Sequence, residues 1–137
     1  MEPHEILDQA NTVAVVGLSR HPEKTAHAVP AALQAAGFRV IPVNPHADEL
    51  LGERAFARLD EVTEPVDVVE VFRPSEEAPE IARQAVAIGA RALWLQQGLR
   101  STEARAIAKS AGLDYVEDRC MAVERALHGI RKSGGAA

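Results

Sequence analysis

A single cysteine, Cys120, stands in the 137 residues of this chain. No intramolecular disulfide can form, and no thiolate cluster exists to hold a structural zinc, which suits a reducing compartment. Positive charge is also short, with 15 Lys and Arg against 20 Asp and Glu and a formal net charge of -5. Nucleic acid and anionic membranes both demand a basic surface, so neither is an expected partner, and any bound anion must be held locally. Long apolar runs are missing as well. No stretch approaches the ~20 residues of a bilayer span, and the opening MEPHEILDQAN is acidic, without the basic region and apolar run of a secretory signal. The expectation is a soluble cytoplasmic protein.

No internal repeat or linker divides the sequence, and a hydrophobic fraction of 47% in 137 residues fits one domain with one sizeable core, over residues 1–130. The polar, small-residue stretch RKSGGAA, 131–137, is expected to be an unordered tail.

Apolar runs alternate with helical patterns almost end to end, which predicts an α/β fold: a single doubly wound, mainly parallel sheet with helices on both faces. TVAVVGL (12–18) is continuous rather than alternating, as in a strand buried on both sides. Further strands are predicted over 39–45, 66–74, 92–98 and 114–118. Pro42 inside the second of them predicts a bulge or a short ladder. GERAF (52–56) could add an edge strand and ARLDEV (57–62) a helical turn. Helices are predicted to end at Gly37, Gly89 and Gly112, with Ser75 capping the second and Ser101 or Thr102 the third. A last helix is predicted over Met121 to Ile130. Pro30 requires either that the first helix start near Val29 or that its opening turn be irregular.

Doubly wound sheets bind ligands beyond the carboxyl ends of their strands, where strand order reverses. The residues there begin with VGLSRHPEKTAHAV. A dinucleotide fingerprint needs three glycines and, about 20 residues on, an acid for the ribose. This chain has Gly17 alone, with Ser19 in the second position, and Val43-Asn44-Pro45 where the acid would stand. Ordinary NAD binding is therefore disfavoured. The hydroxyls and cations of Ser19, Arg20, His21, Lys24 and Thr25, beside a helix N-terminus, suit a ligand with several phosphates.

VGLSRHPEKTAHAV, GFRVIPVNP, VDVVEVFRPSEEAPEIARQAVAIGARALWLQQG and AGLDYVEDRC, in that order, resemble the small stand-alone CoA-binding proteins. Their domain is in turn similar to the CoA-binding domain of the succinyl-CoA synthetase alpha subunit, and the likeness runs from about Asp8 to Leu127. The resemblance implies a Rossmann-type fold with coenzyme A, or an acyl-CoA, at the carboxyl edge of the sheet. Gly17, Leu18, Ser19, Arg20 and Lys24 would form the phosphate loop; Val43, Asn44 and Pro45 would flank the nucleotide; Phe72, Arg73 and Pro74 would line the other wall. Two departures fall at the helix start: Ala26 where the family often has Ser, and Pro30 where it has a non-proline.

Other candidates have competing readings. Arg73 could contact ligand or pair with Glu76 or Glu77. Trp94 belongs to the core, whereas Gln96 could meet the amides of a pantetheine arm. Cys120, behind Asp118 as N-cap, could be an activated thiol or a small buried hydrophobe. The five histidines show no metal-ligand spacing, so no metal is expected.

Three functions remain open: a binding module for CoA or an acyl-CoA, acting through another partner or as a sensor, with a protein partner or a homodimer open; an enzyme, either a dehydrogenase or a relative of the CoA ligases; and an interaction protein that keeps the fold without the ligand. The dehydrogenase lacks its glycines and acid, and the ligase would need a second domain with a phosphorylated histidine, not expected after Ile130.

Overall fold

The computed structural model describes residues 1–133. The strands β1 (Thr12–Val16), β2 (Arg39–Val43), β5 (Val68–Val71), β6 (Ala92–Leu95) and β7 (Asp114–Val116) form one parallel sheet in the order β2-β1-β5-β6-β7. A separate two-residue hairpin, β3 (Glu49–Leu50) with β4 (Glu53–Arg54), follows β2. The helices are α1 (Pro3–Gln9), α2 (Thr25–Ala35), α3 (Ala78–Ala87), α4 (Thr102–Ser110) and α5 (Met121–Leu127).

The Val-rich runs become strands because both faces of the sheet are covered. Val13, Val15, Val68 and Trp94 pack on one side against Leu7 of α1, Leu33 of α2 and Met121 of α5. Ala14, Val69, Val71 and Leu93 pack on the other against Ile81 of α3, Ala108 of α4 and Leu59. Adjacent residues of one strand thus serve opposite faces, as the period of two requires. Trp94 is fully buried, and its indole N–H donates to the Arg119 carbonyl at 2.9 Å.

Several details differ from expectation. Helix α1 was not anticipated: it has only Ile6 and Leu7 to bury, but Pro3 opens it and Glu5 accepts the Glu2 N–H at 2.8 Å. Pro42 causes no bulge. The ladder is continuous from Thr12↔Arg39 to Val16↔Val43 because β2 is an edge strand. The Pro42 carbonyl accepts from Phe56 N–H on the outer side at 3.0 Å, so the missing N–H also faces away from β1. Ser75 does not cap α3; its hydroxyl accepts from Arg100 N–H at 3.1 Å. Residues Ser75–Glu77 form a turn of 3-10 helix instead, since Pro79 has no N–H with which to make an α-type bond to the Ser75 carbonyl.

Asp118 likewise does not cap α5. It has φ of 57° and accepts the Gly98 N–H at 2.8 Å, leaving Cys120 at the N-cap. Helix α5 stops at Leu127 rather than Ile130, because Gly129 (φ 61°) turns the chain and the Ile130 N–H returns to the Arg125 carbonyl at 3.1 Å. Ser101 caps α4 as predicted, accepting from Ala104 N–H at 3.0 Å. Of the tail, Lys132 donates its N–H to the Ala36 carbonyl at 2.7 Å; residues 134–137 lie outside the described residues.

Candidate ligand-binding site

Strand order reverses direction between β1 and β5: from β1 the chain crosses through α2 to β2 on one side, then returns past β1 to β5 on the other. A crevice must open where the two connections part. A cavity of about 920 Å³ lies there, within the range of small-molecule sites.

Gly17 makes the turn out of β1. Its φ is 92°, and a Cβ would meet Arg73 Cδ at 3.0 Å and the Phe72 carbonyl oxygen at 3.2 Å, so glycine is required by conformation and by space. The following loop is tied down on three sides. Gly17 N–H donates to the Val43 carbonyl at 2.9 Å, and Asn44 Nδ2 donates to the Leu18 carbonyl at 2.9 Å. Ser19 N–H donates to the Ala26 carbonyl at 3.0 Å, and the Ser19 carbonyl lies 2.7 Å from His27 Nδ1, which must carry its proton to bond there. The Ser19 hydroxyl accepts from His21 N–H at 3.0 Å and keeps its own proton free to donate.

The same wall carries uncompensated donors. Arg20 and Lys24 are exposed, and among the described residues neither forms an ion pair. The N–H groups of Arg20, Thr25 and Ala26 have no hydrogen-bond partner among the described residues, the latter two because they open α2. Arg20, Lys24 and Ala26 border the cavity together, a donor set of the kind that suits an anion.

The opposite wall is different. Arg73 is engaged by Glu77 through two bonds, of 3.1 and 2.8 Å, as one of its two readings anticipated. Glu76 and Glu80 line the cavity beside it, with Glu80 3.3 Å from Arg83.

Of the residues singled out in the sequence, Gly17, Ser19, Arg20, Lys24, Val43, Asn44, Pro45, Phe72 and Arg73 border this cavity together. Leu18, Pro74 and Gln96 do not. Leu18 is fully buried and offers only its carbonyl to Asn44, while Pro74 is exposed where the 3-10 turn begins. Gln96 is buried, with Oε1 facing the Met121 N–H at 3.4 Å. Cys120, half-buried against the α1–α2–α5 core, is also outside the cavity.

The sequence reading missed Arg58, Glu80, Ile81 and Gln84, which also line it. Arg58 arrives on the β2-to-β5 crossover and is held by Asp60 at 3.1 and 3.0 Å. It also missed Glu70, which sits inside an apolar run. Glu70 is fully buried between Val15 and Trp94 in register, both carboxyl oxygens lack a partner, and burial pushes its pKa up to about 8. Among the described residues no helix is long and apolar enough to cross a membrane, and no three metal-ligating side chains gather.

An open parallel sheet with a glycine turn and an anion-ready helix start at its switch point defines a Rossmann-like α/β domain. Within that class the chain belongs to the CoA binding domain family, whose model matches residues 11–126. It is 43% identical over 126 residues to the uncharacterized protein YneT of Bacillus subtilis, covering 92% of this chain and 93% of that one. A solved structure from Thermus thermophilus, called cell-free ID.343, superposes with a TM-score of 0.87 at 40% identity, over 93% of this chain and 98% of its own. The dinucleotide forming acetyl-coenzyme A synthetase 1 of Ca. Korarchaeum cryptofilum shares the fold, with a TM-score of 0.72 at 24% identity over 83% of this chain and 27% of that one.

Proposed function

We propose that this protein binds coenzyme A or an acyl-CoA at the carboxyl edge of its sheet, and holds the ligand without transforming it. The observation that carries the reading is the wall formed by Arg20, Lys24 and the free N–H group of Ala26, bordering the cavity at the β1/β5 switch point. Coenzyme A has a pyrophosphate and a further ribose phosphate, and charge-assisted bonds from such donors are the strong kind.

Asn44 supports the choice over NAD. It stands where a dinucleotide enzyme places its ribose-binding acid, and it brings an amide already committed to Leu18. A carboxylate there would repel the additional phosphate. The acidic wall of Glu76, Glu77 and Glu80 suits the uncharged, amide-bearing arm of the ligand, so the phosphates belong at α2.

Binding without turnover is supported by the groups on the Arg73 side of the cavity and by the place of the thiol. Arg73 and Glu77 neutralise each other, Glu80 faces Arg83, and the one thiol lies outside the cavity.

Titration of isotope-labelled protein with CoA, followed by amide chemical shifts, tests the site. The largest shifts are expected at Arg20, Lys24, Thr25, Ala26 and Phe72. Shifts confined to the opposite edge of the sheet, where a second concavity of about 670 Å³ lies between Thr63 and Gly89, would refute it.

A further inference from the structure

Pro30 is the sixth residue of α2 and is buried. A proline there has two physical effects: it supplies no N–H to the carbonyl four residues earlier, and its ring crowds that carbonyl and tilts it outward. The carbonyl concerned is that of Ala26. It is not left unpaired, because the Ser19 N–H donates to it from the loop at 3.0 Å.

We infer that Pro30 is a positioning residue of the phosphate loop: it withdraws the helical donor from the Ala26 carbonyl and so gives that carbonyl to Ser19. Ser19 is then held at both backbone groups by neighbouring helical residues, its N–H by Ala26 and its carbonyl by the His27 Nδ1–H at 2.7 Å. Arg20 follows directly, and its direction into the cavity is set by this two-point closure. The proline that interrupts the helix and the alanine in its first turn are the two ends of one device. The effect on ligand affinity rests on the coenzyme A reading; the closure of the loop does not.

Amide hydrogen exchange, read residue by residue in the full chain, separates these layers. Pro30→Ala and Pro30→Val both restore an N–H at position 30, the first with a loss and the second with a gain of buried volume, so an effect common to both is not one of packing. Exchange at Ser19 should accelerate on the order of tenfold in both variants, the loss of about one net hydrogen bond. Exchange at Gly17, bonded to the Val43 carbonyl at the base of the same loop, should stay unchanged. CoA affinity should fall several-fold in both. Equal acceleration at Gly17 and Ser19 would mean general loosening and overturn the inference, as would unchanged Ser19 exchange. Faster Ser19 exchange with unaltered CoA affinity would also overturn the positioning role. Should the unaltered protein bind no CoA, the coenzyme A reading fails, while the Ser19 exchange result decides the closure independently.

Discussion

Asn44 Nδ2 donates to the Leu18 carbonyl across 2.9 Å, tying the end of β2 to the turn that leaves β1. Its other amide atom, Oδ1, accepts the His46 N–H at 2.7 Å, so one side chain fixes the loops on both sides of the cavity mouth. Replacing it with Asp keeps the acceptor and removes the donor. Asn44→Asp is expected to lower CoA affinity more than Asn44→Ala does, because it adds charge beside phosphate as well as losing the Leu18 bond. Both should cost about 1 kcal/mol of stability. Calorimetry and thermal melts on the two variants check this.

Arg20 and Lys24 have no intramolecular ion pair to lose among the described residues. Arg20→Ala and Lys24→Ala should therefore leave the melting temperature nearly unchanged while weakening CoA binding roughly tenfold or more each, the scale of a charge-assisted hydrogen bond. Binding measured between low and high salt should also become less salt-dependent, since exposed charges are screened.

Gly17→Ala faces both a φ of 92° and a Cβ contact of 3.0 Å with Arg73. A destabilisation of about 1–3 kcal/mol is expected from the strained backbone. CoA affinity should fall with it, as Arg73 and the Phe72 carbonyl are displaced from the cavity wall. Denaturant unfolding gives the first quantity and titration the second.

Glu70 offers a pH test. Burial pushes its pKa up to about 8 from the ordinary 4.5, so the folded state keeps a proton that the unfolded chain releases. Stability must then fall as pH rises from about 4.5 to 8 and level off above, with a ceiling of about 5 kcal/mol. Glu70→Gln has no proton to lose. Its contribution to the slope of stability against pH over that window should vanish, and the variant should be the more stable protein at pH 8.

The strands were legible because continuous Val-rich runs have few alternatives once both sheet faces are buried. Helix α1 was not, since Ile6 and Leu7 alone give no period, and its Pro3 and Glu5 signals are brief. Ser75 and Asp118 look like helix caps in sequence, yet each spends its side chain on the 98–100 segment, a partner visible only after β6 is placed. That the loop after β1 borders the cavity could be read because it is local: Gly17, Ser19, Arg20 and Lys24 follow one strand and precede one helix. Arg58 and Glu80 reach the cavity from a crossover and from α3, and that meeting depends on packing rather than on spacing. Glu70 was hidden in plain view, a single acid within VVEV.

The central claim is that the switch-point cavity is built for the phosphates of coenzyme A. Calorimetric titration of the pure protein with CoA, dephospho-CoA and NAD tests it most directly. CoA should bind, dephospho-CoA should bind roughly tenfold or more weakly for want of one charged contact, and NAD should be weaker still. NAD binding as tight as CoA, or no heat from any of the three, would contradict the account.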